Sequence, residues 1–279
     1  MTGEVIITTA SGSTLPSGQI DPAIRQRTGL TRFLVDTATM TRRNVLYLIR
    51  RPQVIVFALV SPVMFVLLFN FVFGGSLDVP GNYADYLIPG IMVQTVMFGG
   101  GNTAIGLAED MTRGVIDRFR SLPMSRLAVL SGRTVADAMR GVITNTVIIV
   151  MGLIIGFRFH NGLGWALAAF VLVLFFGYSV TWFFAWMGLT LNSVEAVQAA
   201  TFIPAFPLTF AASTFAPVEN MPGWLQAFAA HQPVTQVVDA TRAMMHGGEI
   251  AGPLLRSLLW CVGIMAFFGF LAVRQYRKG

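Results

Sequence analysis

FHNGLGWALAAFVLVLFFGYSVTWFFAWMGLTLNSV, residues 159–194, contains no Asp, Glu, Lys or Arg. A charge at the centre of a bilayer costs roughly 2.5–3.5 kcal/mol even on a lenient insertion scale, so an uncharged apolar stretch of about 20 residues or more marks a spanning helix. The flanking sequence repeats the pattern. Residues 52–77, 86–108, 141–157 and 196–218 are likewise uncharged, and 257–273 is a shorter run whose bordering Arg256 and Arg274 can snorkel to the headgroups. The runs predict an all-α integral membrane protein with six transmembrane helices, at about 53–75, 86–108, 134–157, 164–191, 196–216 and 254–274.

Composition requires the same solvent. With 54% hydrophobic and 11% charged residues among 279, and a mean hydropathy of +0.67, a water-soluble fold could not cover its surface with polar groups. The net charge of +6 reads as positive-inside bias rather than affinity for nucleic acid, because the basic residues are placed asymmetrically. All 19 except Arg158, Arg242 and Arg256 lie before the first run, between the second run and the start of the third, or after the sixth. Both termini are therefore expected on the cytoplasmic side.

Outside the runs, residues 1–29 are rich in Ser, Thr and Gly without helical period and read as a mobile cytoplasmic tail. Val5-Ile6-Ile7 is too short for the apolar core of a cleaved signal. Within 30–51, Leu34, Thr37, Thr41, Val45 and Leu48 recur three or four apart beside Arg32, Arg42, Arg43, Arg50 and Arg51, which predicts an interfacial helix. Residues 219–248 are too polar to span. After Pro233, a favourable first helical residue, Val234, Val237, Val238, Thr241, Met244 and Met245 form one face, and Gly247-Gly248 can end the helix. Short helices at the outer interface are expected here, between the fifth and sixth spans.

Several chemistries are excluded. Lys278 is the single lysine, so no phosphate-binding loop of the GxxxxGK[ST] kind exists, and neither HExxH nor GxSxG occurs. No catalytic residues are expected. Cys261 is the lone cysteine, and His160, His231 and His246 are scattered at spacings that do not suggest a metal site; no metal and no cofactor bound by this chain are expected. Gly99-Gly100-Gly101 reads first as close helix packing. Asp137 and Arg140, with Arg133, have the spacing to pair along one helix face and neutralise each other.

The most informative loop is Glu109-Asp110-Met111-Thr112-Arg113-Gly114-Val115-Ile116-Asp117-Arg118-Phe119-Arg120-Ser121-Leu122-Pro123-Met124-Ser125-Arg126. Met111, Val115, Phe119 and Leu122 fall on one helical face, with Arg113, Asp117 and Arg120 on another, and Pro123 stops the period. By periodicity alone this is an amphipathic helix on the bilayer surface. From Arg113 to Arg126 it resembles the R-G-T-x-[ED]-R-[LF]-x-[ST]-[LT]-P-[VM]-[SR]-R pattern of ABC-2 type transporter permeases, particularly the daunorubicin-resistance subfamily, and His231-Gln232-Pro233-Val234 is similar to that subfamily too. Val115-Ile116 departs from the usual threonine and aliphatic pair.

The resemblance implies a permease subunit of an exporter in the bacterial inner membrane, pairing with a second copy or a paralogue and with two ATP-binding subunits. ATP and Mg would sit on those subunits. A coupling helix of Glu109, Asp110, Arg113, Asp117, Arg118, Phe119 and Arg120 would rest on the ATPase. The resemblance also places the substrate path at the seam of the second and fifth spans, where Met92, Gln94, Met97, Phe98 and Asn102 face Phe202, Phe206 and Phe210; the alternative for any single Phe or Met is ordinary bundle or lipid-facing packing. The expected substrate is an amphipathic drug or lipid-like molecule. A proton-coupled exporter using Asp137, or a non-transporting accessory subunit, remains open.

Overall fold

The structure, a computed structural model, describes residues 6–8, 14–16, 35, 38–39, 41–42, 52–74, 81–112, 126–191 and 193–278. A two-stranded antiparallel ribbon, β1 (Ile6–Thr8) against β2 (Thr14–Pro16), lies within the N-terminal tail. The rest is helical: α1 (Pro52–Leu68), α2 (Tyr83–Thr112), α3 (Arg126–Ile155), α4 (Gly162–Thr190), α5 (Val194–Phe210), α6 (Gly223–His231), α7 (Pro233–His246) and α8 (Ala251–Lys278). Most of the expected interfacial helix at 30–51 lies outside the described residues. Thr41 within it is helical, and its hydroxyl donates to the carbonyl of Gly132 at 3.3 Å.

Helical structure lies within each of the uncharged runs, but the helices differ in character. Among the described residues, Thr134–Ile155, Gly162–Thr190 and Ala251–Tyr276 are long and apolar enough to cross a bilayer, whereas the apolar parts of α1 and α5, Ala58–Val72 and Val194–Phe210, are shorter. The protein is thus a multi-pass membrane protein. α2 is long yet carries Gln94, Thr95 and Thr103, because the other helices enclose much of it: Leu87, Ile88, Ile91, Met92, Val93 and Ala104 are all fully buried. A helix sheathed in protein need not be lipophilic.

The central contact pairs α2 with α4, and small residues set their distance. A Cβ on Gly188 would lie 2.8 Å from the Cα of Ala104, and one on Gly100 would run into the ring of Phe184. The glycine triple therefore divides its duties. Gly100 meets α4, Gly101 faces Thr201 of α5, and Gly99 has nothing nearer to its missing Cβ than the Arg140 guanidinium at 3.9 Å.

α1 contains Pro62 and widens into a π turn over Phe69–Phe73, and the rings of Phe69 and Phe215 stack at 4.2 Å. α5 starts at the cap Ser193, whose hydroxyl accepts from Ala196 N, and ends at Phe210, short of the expected 216. Its interior Pro204 and Pro207 each remove a backbone donor, and a turn over 211–217 follows. Buried Gln232 then satisfies the loose carbonyls: its Nε2 donates to Leu208 O at 2.8 Å and to Ala211 O at 3.2 Å.

α7 follows the sequence reading, with Pro233 in its first turn and Gly247 beyond its end at φ 96°. It is more enclosed than an interfacial helix, since Thr235, Gln236 and Ala240 are buried together with the expected apolar face. Arg242 anchors it. The guanidinium lies 3.7 Å from the centre of the Tyr86 ring and donates to Tyr86 O (3.0 Å), Ser213 O (2.8 Å) and Asp239 Oδ1 (3.1 Å). Burial pushes the Asp239 carboxyl above the usual carboxylate range, opposed by the Ser213 hydroxyl and by Arg242.

Candidate functional site

A cavity of about 500 Å³ opens among α1, α2, α3, α4 and α5. Helical period decides which side chains reach it. On α2, Gln94, Phe98 and Asn102 are four residues apart and form one stripe along the cavity. Met92 lies two residues from Gln94, and Met97 one from Phe98, so both turn away; they are 0% and 2% exposed, in the hydrophobic core rather than along the cavity. On α5, Phe202, Phe206 and Phe210 share the same four-residue period and all line it.

The aromatic wall is continuous across the two helices. Phe206 and Phe210 stack at 4.3 Å, and Phe98 meets Phe202 at 6.1 Å. Phe202 and Phe206 remain 58% and 54% exposed, so they have surface left for another apolar body.

The lining carries polar groups too. Asp137 on α3 accepts a hydrogen bond from the Thr103 hydroxyl and pairs with Arg140 at 3.1 Å, one turn along the same helix. Arg140 also donates to the carbonyl of Gly99 at 2.9 Å. Both charged side chains are nearly buried, at 13% and 15% exposure, and each carries a second hydrogen bond, which is the condition for tolerating charge at this depth. Of Arg133, expected to join them, only the backbone is described, in α3. Gln198, Thr201, Thr144 and Thr181 add hydroxyl and amide groups to the cavity lining. None of these was singled out in the sequence, because a lone Thr or Gln on a helix carries no pattern until its neighbour from another helix is known.

The expected coupling segment is seen only at its start. Glu109 and Asp110 do not open a separate helix; they belong to the last turn of α2, which runs unbroken to Thr112 because no Gly or Pro separates Ala108 from Thr112. Arg113, Asp117, Arg118, Phe119 and Arg120 lie outside the described residues.

The histidines are not scattered as their spacing suggested. His160, in the turn between α3 and α4, and His246, at the end of α7, bring their Nδ1 atoms within 3.1 Å, and donor atoms of Asp85, His160 and His246 all lie within 4.8 Å of one another. His231 stands apart, with its Nδ1 3.0 Å from Ala227 O.

Sequence comparison places these features in a known setting. The profile of the ABC-2 type transporter family matches residues 36–246, which include α2, α4, α5, α7 and all the aromatic residues of the cavity. The chain is 33% identical over 275 residues to the daunorubicin resistance ABC transporter permease protein DrrB1 of Streptomyces coeruleorubidus, covering 97% of this chain and 96% of that protein. It is 28% identical over 250 residues to the "Probable doxorubicin resistance ABC transporter permease protein DrrC" of Mycobacterium tuberculosis (88% and 90% covered). To the doxorubicin resistance ABC transporter permease protein DrrB of the same organism it is 28% identical over 210 residues (73% and 72% covered).

Proposed function

The chain belongs to the ABC-2 type transporter family, and on that premise we propose that it is the permease subunit of an exporter that moves an amphipathic aromatic compound out of the cytoplasm or inner leaflet. Catalysis is not its own task. ATP would be hydrolysed with Mg on a separate ATP-binding subunit, two copies of which would serve two permease chains.

The observation that carries the substrate class is the mixed aromatic and polar lining of the cavity. Phe98, Phe202, Phe206 and Phe210 offer a stacking wall, while Gln94, Asn102, Gln198 and the Asp137–Arg140 pair offer hydrogen bonds and balanced charge. At about 500 Å³ it suits a drug-sized ligand that combines an aromatic surface with hydrogen-bonding groups. The relatives named for daunorubicin and doxorubicin resistance fit this class. Asp137 is occupied by Thr103 and Arg140, which supports a neutralising role over a proton relay.

A second copy of the chain, or a paralogue, would complete the cavity. Asn102 is exposed about two thirds of the way along α2, lining the cavity with the exposed Phe202 and Phe206 of α5. An amide left against lipid tails is costly, and a partner helix or a wetted path at that seam removes the cost. In this arrangement six helices span the bacterial inner membrane, both termini are cytoplasmic, α6 and α7 lie at the outer side, and the Glu109–Arg120 segment meets the ATPase.

The test is reconstitution of the chain with its ATP-binding subunit in proteoliposomes, with daunorubicin fluorescence as readout. ATP-dependent movement that persists without a proton gradient supports the reading; movement that follows the gradient and ignores ATP refutes it.

A further inference from the structure

The outer cluster of Asp85, His160 and His246 is the best-built group of side chains that transport does not use. Three separate parts of the fold converge there: the first turn of α2, the turn between α3 and α4, and the last turn of α7. Hydrogen bonds to backbone carbonyls hold them together. His160 N and Asn161 N both donate to Met245 O, at 3.0 and 3.1 Å, the Asn161 amide reaches Met244 O at 3.2 Å, and the Asn82 amide reaches Gly156 O at 3.1 Å.

The donor atoms of the three side chains converge on one point. Arg158 N donates to Asp85 Oδ1 at 2.9 Å and fixes the carboxylate, while the Arg158 guanidinium turns away to Leu153 O and Phe157 O. The edge of the Phe157 ring meets the His246 imidazole at 5.4 Å. The two imidazoles present their Nδ1 atoms to each other at 3.1 Å, and an ion would take the place of the proton between them. The nearby Arg242 cation is already engaged with Asp239.

We propose that Asp85, His160 and His246 form a site for a divalent transition-metal ion, zinc first, on the outer rim of the permease. Tetrahedral zinc with ligands at about 2.0–2.1 Å holds neighbouring donors roughly 3.4 Å apart. The Nδ1 atoms at 3.1 Å already stand near that separation, and all three donors fall within 4.8 Å. Two imidazoles and one carboxylate leave a fourth position for water, reached past the exposed His160. The bound ion clasps the α3–α4 turn and the end of α7 to the start of α2.

The test uses the full chain carrying a tag without histidine, stripped with chelator, loaded with Zn²⁺, desalted and assayed for metal by mass spectrometry. One zinc per chain is expected, with affinity falling at least 10-fold in H160A and in D85N and unchanged in H231A. H160A alters an exposed ring, and D85N keeps the acceptor for Arg158 N, so both should fold. Cobalt loading gives a second readout: strong visible absorption of a four-coordinate ion in the wild type and its loss in both variants. Absence of retained metal in the wild type, or equal retention by H160A and D85N, overturns the proposal.

Discussion

Replacing Asp137 with Asn tests what the charged pair at the cavity does. Asparagine keeps an oxygen for the Thr103 hydroxyl but removes the negative charge 3.1 Å from Arg140. Breaking a fully buried pair costs about 3–5 kcal/mol, since the surviving charge is left without its partner. Here the side chains retain 13% and 15% exposure beside an open cavity, and Arg140 keeps its bond to Gly99 O, so we expect a smaller loss of about 1–3 kcal/mol. For a chain of this size that lowers the unfolding temperature by a few degrees to roughly 10 °C. The assay is a thermal scan in mild detergent, followed by transport per folded molecule in proteoliposomes. The double change D137N/R140M should recover most of the loss, because removing both charges leaves neither orphaned. ATP-driven transport should survive in D137N, and it should not depend on a proton gradient. If D137N melts like the wild type yet abolishes transport, or the double change is worse than the single, the neutralising role is wrong and a proton relay through Asp137 takes its place.

Other sites give sharper contrasts. R242A should cost about 2–4 kcal/mol and loosen α7, because Tyr86 O, Ser213 O and Asp239 lose their common donor; faster proteolysis of the segment around 211–246 would report it. Among the glycines, G188V should prevent assembly, since its neighbour is Ala104 backbone that cannot swing aside, whereas G99A should yield folded protein, with only the Arg140 guanidinium 3.9 Å away; size-exclusion profiles separate the two. The double change F202A/F206A should leave the unfolding temperature within a few degrees, as both rings are more than half exposed, but should raise the concentration of daunorubicin needed for half-maximal stimulation of the ATPase several-fold.

How much of this could be read from the sequence depends on whether the signal was local. The three long apolar helices, Thr134–Ile155, Gly162–Thr190 and Ala251–Tyr276, were legible, because the cost of charge in lipid writes uncharged runs directly into the chain. α7 was legible from Pro233, Gly247 and a three-to-four period. The stripe of Phe202, Phe206 and Phe210 was visible as a spacing of four, but whether it met a cavity or a neighbouring helix depended on α2 and α3. Met92 and Met97 have the right chemistry and the wrong angle, and only the rotation of α2 relative to α4 separates them from Gln94 and Phe98. His160 and His246 stand 86 residues apart, so their approach is a product of tertiary structure with no local trace. The end of α5 at Phe210 depends on the Gln232 amide, from a later turn, donating to the carbonyls of Leu208 and Ala211, which hydropathy cannot register.

The most direct test of the central claim is to purify the tagged chain in mild detergent and determine which proteins accompany it in stoichiometric amount, then measure their ATPase rate with and without daunorubicin. The account predicts a subunit bearing a phosphate-binding loop at one copy per permease chain, an ATPase rate that responds to the drug, and loss of that response when Arg118 or Phe119 is changed while the complex stays intact. A lone oligomer of this chain that moves substrate on a proton gradient, with no ATP-binding partner, would contradict it.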